Sequence, residues 1–256
     1  MEDWLSKYVD FKVLINLEDR TDRLEEVKKE FDRVGLVDIH HFPAIKHHIG
    51  ISGCTRSHYE IVKMAKEEGY KNILIFEDDV YFVGDKKSFK NKLESCFLQI
   101  EKNNIKPDML YLGGFLTTPP DGWTSRGDFS WDRSKMSYHT KIDDNLFELG
   151  GCKTTHAYII FESIYDKIID GFGNTDWDDI NVWRGDNRKN IDFWYLSQLH
   201  HGGYLENNNI ENREIKPYGI YPSLAGQKES FSNIQNRMEF IEMTDRWNKI
   251  LEISND

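Results

Sequence analysis

The sequence predicts an α/β fold in which a central, mostly parallel sheet is flanked by helices. Short apolar runs of strand length recur, at Phe11 to Leu17 (FKVLINL), Asn72 to Phe76 (NILIF), Met109 to Leu112 (MLYL) and Ala157 to Phe161 (AYIIF). Between them lie segments whose apolar residues repeat at helical spacing, and strands alternating with helices are the pattern of crossover-connected sheets. The chain has 256 residues, 39% hydrophobic and 30% charged, which suffices for one large core.

Phe11 to Leu17 reads as a buried strand. The helix after it has Asp22 as a candidate N-cap with Glu25 three residues on, Leu24, Val27, Phe31 and Val34 on one face, and Gly35 as its stop. Ile39 to Phe42 reads as a second strand ended by Pro43. A polar loop is expected through His47, His48, Gly50 and Gly53. The next helix carries His58, Ile61, Val62 and Ala65 on one face and stops at Gly69. Asn72 to Phe76 has no polar interruption, so it is expected to be buried on both faces. A helix follows from about Lys86 to Lys102. Thr117 to Asp144 shows no period and is expected to be a long functional loop. Ser163 to Ile169 starts a helix ending near Gly171, Thr175 to Asn190 is polar and acidic, Phe193 to Leu199 reads as helix, and the tail from about Gln235 to Ile253 as another.

Composition excludes several classes. The net charge is −11 with no basic block, which argues against nucleic acid as a partner, since phosphate contacts need clustered Lys and Arg. No apolar stretch approaches the roughly 20 residues of a transmembrane span. Met1 to Asp10 lacks the apolar run of a secretory signal, so a cytoplasmic location, or a piece of something larger, is the expectation. Cys54, Cys96 and Cys152 are too sparse for a disulfide framework or a cysteine zinc site and fit free thiols.

The most informative feature is Glu77-Asp78-Asp79, directly after the buried run. In open α/β sheets ligands sit beyond the carboxyl ends of the strands. Side-chain alternation would send Glu77 and Asp79 to one side and Asp78 to the other. Clustered carboxylates in a half-buried cleft repel one another unless a cation offsets them, and Mg²⁺ or Mn²⁺ suits such oxygens together with substrate phosphates. A carboxylate-held metal would let an acidic protein bind a phosphorylated anion and stabilise a departing diphosphate. The competing interpretation is an acidic loop that faces water or caps the following helix.

Three motifs in order resemble glycosyltransferase family 25: Ile15-Asn16-Leu17 with Arg20 and Asp22-Arg23; Gly53-Cys54 with Ser57-His58; and Ile73 to Val80 (ILIFEDDV), the counterpart of a D-x-D metal motif. Weaker similarities lie at Tyr111-Leu112-Gly113, at Ala157 to Ile160, at Ile191-Asp192, and at Tyr221-Pro222 with Gln227. The chain departs from the family pattern at Ser52, where Glu is frequent, and at Ser232-Asn233-Ile234, where Ser-Asp-Ile is frequent. The resemblance implies a GT-A-like nucleotide-sugar-binding fold over one domain, residues 1–256. About 1–115 would be the nucleotide-sugar half, and about 116–256 the acceptor half with a C-terminal helix. It further implies a UDP-sugar donor (galactose or glucose), a glycan or protein acceptor, Mn²⁺ or Mg²⁺, and inversion at the anomeric carbon.

Roles follow from combining the residues with the resemblance. Asp79 is the first candidate metal ligand, with Glu77; Asp78 would join them or hydrogen-bond ribose or the donor sugar. Asn16 and Leu17 would meet the base or ribose, although Asn16 can equally turn the chain after its strand. Arg20 and Arg23 would hold uracil or diphosphate through their forks, or pair with Asp19 or Glu26 as ordinary first-turn residues. Ser57 would bind an anion near a helix start, whereas His58 reads as a satisfied core histidine. Cys54 reads as a buried thiol. Asp192 is the candidate base for the acceptor hydroxyl, or an N-cap, with Asp176, Asp178, Asp179 and Asp186 competing. His200 or His201 would complete the metal shell. Trp123 and Trp131 would stack on an acceptor sugar or pack their own loop. A metal-dependent phosphohydrolase or nucleotidyltransferase, and a non-catalytic nucleotide- or carbohydrate-binding protein, are the alternatives.

Overall fold

Side chains alternate across a strand, so an uninterrupted apolar run has to bury both of its faces. The computed structural model describes residues 3–116, 139–184, 189–196, 215–228, 230–232, 237–239 and 243–253. The chain begins with β1 (Phe11–Asn16), α1 (Thr21–Val34), β2 (His40–Pro43), α2 (Gly50–Glu68), β3 (Asn72–Glu77), β4 (Val80–Phe82), α3 (Lys86–Lys102) and β5 (Met109–Tyr111). It continues through β6 (Phe115–Leu116), β7 (His139–Asp143), β8 (Leu146–Leu149), β9 (Cys152–Lys153), β10 (Ala157–Phe161), α4 (Tyr165–Gly173) and α5 (Ile191–Trp194). The remaining elements are β11 (Pro217–Ile220), β12 (Ala225–Gln227), β13 (Ser230–Ser232), β14 (Arg237–Glu239) and α6 (Met243–Ile253).

Eight strands form the main sheet in the order β2-β1-β3-β10-β5-β11-β8-β7. β1 pairs in parallel with β2 and β3, and β5 with β11. β10 is antiparallel to both of its neighbours, as is β8. The sheet is therefore largely parallel in direction, with β10 and β8 reversed. It draws strands from both halves of the chain.

Alternation along β3 divides the core into two layers. Ile73 and Ile75 pack with Val13 and Ile15 of β1, with Ile61, Val62 and Ala65 of α2, and with Ile168 and Phe172 of α4. Leu74 and Phe76 pack on the other face with Leu14, with Val27, Phe31 and Val34 of α1, and with Phe89, Leu93 and Cys96 of α3. The sheet is thus sandwiched between α2 and α4 on one side and α1 and α3 on the other.

Several boundaries differ from the sequence expectation. Asp22 is not the N-cap of α1; Arg20 occupies that position without a side-chain cap, and Asp22 lies in the first turn. Gly50 and Gly53 belong to α2, not to a loop, because the small residues Ser52, Gly53 and Thr55 are buried and allow close packing there. Ser57 and His58 consequently lie well inside the helix, away from its free N–H groups. Helix begins at Ile191, ahead of the expected Phe193, with Asn190 and not Asp192 at the N-cap, and residues 197–199 lie outside the described residues. The tail helix begins only at Met243, with Arg237–Glu239 a strand paired to β13. Most of the long irregular segment, with Trp123 and Trp131, lies outside the described residues, as do Asp186, His200 and His201, and its end forms β7.

Phe76 is fully buried, with the rings of Phe31 and Phe82 5.2 and 5.6 Å away. Phe76→Ala is expected to lower the unfolding free energy by about 3–5 kcal/mol, measured by urea denaturation.

Candidate functional site

The carboxyl ends of β1 and β3 and the beginning of β10 converge on one rim of the sheet. Because β10 runs against β3, with Ala157 opposite Phe76, the residues just before it lie over the end of β3. The Glu77 amide donates to the His156 carbonyl at 3.0 Å, and the Thr155 hydroxyl donates to Glu77 Oε1. The neighbouring Thr154 has φ +74°, an uncommon and strained conformation for a β-branched residue.

Glu77 ends β3 on the α2 face. His58 Nε2 lies 3.2 Å from Glu77 Oε1, and His58 Nδ1 lies 2.8 Å from the Tyr158 hydroxyl. His58 is thus a fully buried, satisfied histidine, and it also carries one of the acidic side chains. Burial disfavours ionised Glu77, but His58, by hydrogen bond and charge, and then Thr155 outweigh it and hold the carboxyl below its usual range. His156, also buried, has its imidazole held down to about 4, chiefly by desolvation.

Asp78 faces α1. Asn16 Nδ2 donates to Asp78 Oδ2 at 2.8 Å, and Arg23 Nη1 donates to Asp78 Oδ1 at 2.7 Å. Three residues expected to contact a nucleotide are therefore joined to one another. Asn16 also donates to the Arg20 carbonyl at 3.2 Å, so it turns the chain as well. Arg20 forks onto Asp22 with two contacts of 3.0 Å, not onto Asp19. Glu26, the alternative partner of the arginines, lies 3.6 Å from Lys228, and Asp19 bonds Lys46.

Asp79 departs from simple alternation because the extended chain ends at Glu77. It turns toward Gln227, whose Nε2 donates to Asp79 Oδ2 at 2.9 Å, and lies 3.8 Å from Arg23. The Lys228 amide donates to the Asp79 carbonyl at 2.7 Å. Asp79 is 8% exposed. Burial, then the charge of Glu77, raise its pKa; Gln227 and Arg23 oppose this, and the carboxyl is pushed up to about 7. Asp79 Oδ1 and Asn16 Oδ1 are buried acceptors without a hydrogen-bond partner among the described residues. Two unsatisfied oxygens beside a carboxylate cluster fit a hard divalent cation.

The remaining site candidates fall into place around this rim. Leu17 follows β1 and is half-buried. The Ser57 hydroxyl is fully buried, donating to the Gly53 carbonyl and accepting from the Ile45 amide, both at 2.8 Å, so it secures the entry to α2. Asp192 accepts from Asn190 Nδ2 at 2.6 Å and from the Phe193 amide at 2.8 Å. Burial raises the Cys54 thiol well above its ordinary range, and Glu77, Asp192, Asp79 and Asp78 add to the effect. That thiol is protonated, and it shares one electrostatic neighbourhood with all four carboxylates. Asp178 and Asp179 are engaged elsewhere, near His47 and at Asn181. No local sequence pattern marks Thr155, His156 or the hold of His58 on Glu77, and only the family resemblance points to Gln227.

Residues 49–175 match the profile described as glycosyltransferase family 25 (LPS biosynthesis protein). Through that segment the chain belongs to glycosyltransferase family 25. A bovine protein named probable inactive glycosyltransferase 25 family member 3 is 33% identical over 72 residues, 28% of this chain and 12% of that protein. Its human counterpart, named inactive, is 36% identical over 64 residues, 25% of this chain and 10% of that one. A Drosophila melanogaster glycosyltransferase 25 family member is 27% identical over 128 residues, covering 39% and 20% of the two chains. The matches thus span a fifth or less of those relatives. Among solved structures, a glycosyltransferase involved in glycosylation of the major capsid of PBCV-1 aligns with TM-score 0.37 and 13% identity, over 66% of this chain and 69% of that one. The family 25 segment contains the acidic triplet, His58 and the Thr155-His156 step; Asn16, Arg23, Asp192 and Gln227 lie outside it.

An aspartate whose folded pKa exceeds its unfolded value of about 3.9 stabilises the fold when protonated. Asp79 gives that stability fully below about pH 4 and loses it as the pH rises through about 7. Asp79→Asn keeps an acceptor for Gln227. In metal-free buffer its stability relative to wild type is expected to rise by roughly 2–4 kcal/mol between pH 4 and pH 8, read from urea melts. A pH-independent difference contradicts a buried, uncompensated carboxylate.

Proposed function

We propose that this family 25 chain is a metal-assisted, inverting hexosyltransferase with a GT-A-like fold. It would take galactose or glucose from a UDP-sugar and deliver it to a hydroxyl of a glycan or protein acceptor. The observation that carries this reading is the buried, unpartnered Asp79 oxygen at the end of β3, beside Glu77 and Asp78.

Asp79, through its unpartnered Oδ1, is the residue that would hold Mn²⁺ or Mg²⁺; Glu77, held by His58 and Thr155, adds negative charge beside it, and His200, the expected further ligand, lies outside the described residues. A divalent cation bound there supplies positive charge to offset the diphosphate as it departs. Asn16 at the end of β1, with Leu17 after it, and Asp78 just beyond β3 offer hydrogen bonds to ribose or uracil. Arg23, between Asp78 and Asp79, and the half-buried Arg20 place positive charge where a diphosphate needs it. Asp192 is the base. It takes the proton of the acceptor hydroxyl while that oxygen bonds to the anomeric carbon and the carbon–phosphate oxygen bond breaks, which inverts the centre. Two donated hydrogen bonds, from Asn190 and Phe193, orient its carboxylate.

A non-catalytic, nucleotide-binding role is the second reading, favoured by the names of the bovine and human relatives, which call those proteins inactive. A release assay with Mn²⁺ and a panel of UDP-sugars separates the two. UDP release that falls at least 100-fold in Asp79→Ala is expected. Nucleotide binding without turnover selects the second reading. Phosphate release without sugar transfer places the chain among phosphohydrolases, and release unchanged in Asp79→Ala removes the metal assignment.

A further inference from the structure

Where the entry to α2 meets the chain after α4, a second set of ligand-type side chains comes together. His47 Nε2 lies 3.2 Å from Asp178 Oδ1, and His48 Nδ1 lies 3.9 Å from the same oxygen. The two imidazole centroids are 4.4 Å apart, and the three ligand atoms all lie within 4.8 Å of one another.

The backbone builds this arrangement from both sides. The Ser52 hydroxyl donates to the Trp177 carbonyl at 2.7 Å and ties α2 to the segment carrying Asp178. The Asp178 amide donates to Asp176 Oδ1 at 3.1 Å. Gly53 lets the loop close over the helix, because a Cβ there would meet the Ile45 carbonyl oxygen at 2.3 Å and His47 Cβ at 3.0 Å. His47 is only 13% exposed, and its Nδ1 accepts from the Ile49 amide at 3.1 Å. With Nδ1 accepting from the Ile49 amide, the ring is held with Nε2 toward Asp178 Oδ1. His48 and Asp178 are 69% and 79% exposed and free to adjust.

We propose that His47, His48 and Asp178 form a site for a divalent transition-metal ion of the zinc type, built from ligands other than the carboxylates that follow β3. Tetrahedral bonds of about 2.0–2.1 Å place ligand atoms about 3.3 Å apart. His47 and Asp178 already meet that spacing, and a side-chain rotation brings His48 in. Two imidazoles and one carboxylate favour Zn²⁺ over Mg²⁺ or Mn²⁺, the reverse of an all-carboxylate rim. The three ligands leave a fourth position for water or a ligand oxygen, and the ion would clip residues 47–48 to residue 178.

The test is titration of the metal-free chain with Zn²⁺ by calorimetry, and with Co²⁺ by visible absorption, in wild type, Asp178→Ala, His48→Ala and Asp79→Ala. Asp178 and His48 are exposed, so their variants retain the fold. A Zn²⁺ site is expected in wild type that persists in Asp79→Ala. Its affinity should fall at least 10-fold in Asp178→Ala and in His48→Ala, and the tetrahedral Co²⁺ bands should weaken in the same two variants. No zinc binding in wild type, or binding and bands unchanged in Asp178→Ala and His48→Ala, overturns the proposal.

Discussion

Three carboxylates leave β3 within three consecutive residues, and the surrounding rim is arranged around their repulsion. At an effective dielectric of about 20, two unit charges about 5 Å apart repel by roughly 3 kcal/mol. The structure answers each charge differently. Glu77 receives His58 and Thr155, and Asp78 receives Arg23 and Asn16. Among the described residues Asp79 receives a neutral amide at close range, with Arg23 at 3.8 Å, and is the group whose proton affinity rises. The rim therefore stores an unsatisfied demand for positive charge at one oxygen, which is the property a cation-dependent diphosphate site needs.

The fold enforces this clustering. β3 is buried on both faces, so its end cannot swing into water, and its first residue beyond the sheet must stay near the rim. The reversed strand β10 closes the other side by bringing Thr155 and His156 over Glu77. β12 pairs with β4 and carries Gln227 back to Asp79 from far along the chain. The α2 layer supplies His58 and the α1 layer supplies Arg23, so the two helical layers separately neutralise the two faces of one strand end.

What could be read in the sequence was what is local. The run from Asn72 to Phe76 and the carboxylates after it lie in adjacent residues, and burial follows from the lack of a polar interruption. Helix α3 was legible because its apolar period is clean. The start of α2 was not, since Ser52, Gly53 and Thr55 have low helix propensity and are small for a packing reason that only the tertiary structure supplies. The contributions of Thr155 and His156 depend on β10 running against β3, a reversal that no local pattern encodes. The alternation expected to pair Glu77 with Asp79 fails because the chain leaves the extended conformation after Glu77. Ser57 read as a ligand group by its position in a motif, whereas its hydroxyl serves two backbone groups across the entry to α2.

The proposed activity requires a cation that links the Asp79 carboxylate to a nucleoside diphosphate. Calorimetric titration of UDP into the chain, with and without saturating Mn²⁺, tests that linkage without requiring an acceptor or turnover. At least 10-fold tighter UDP binding with Mn²⁺ is predicted. Equal affinity in the presence and absence of the ion, for UDP and for other nucleoside diphosphates, would contradict it.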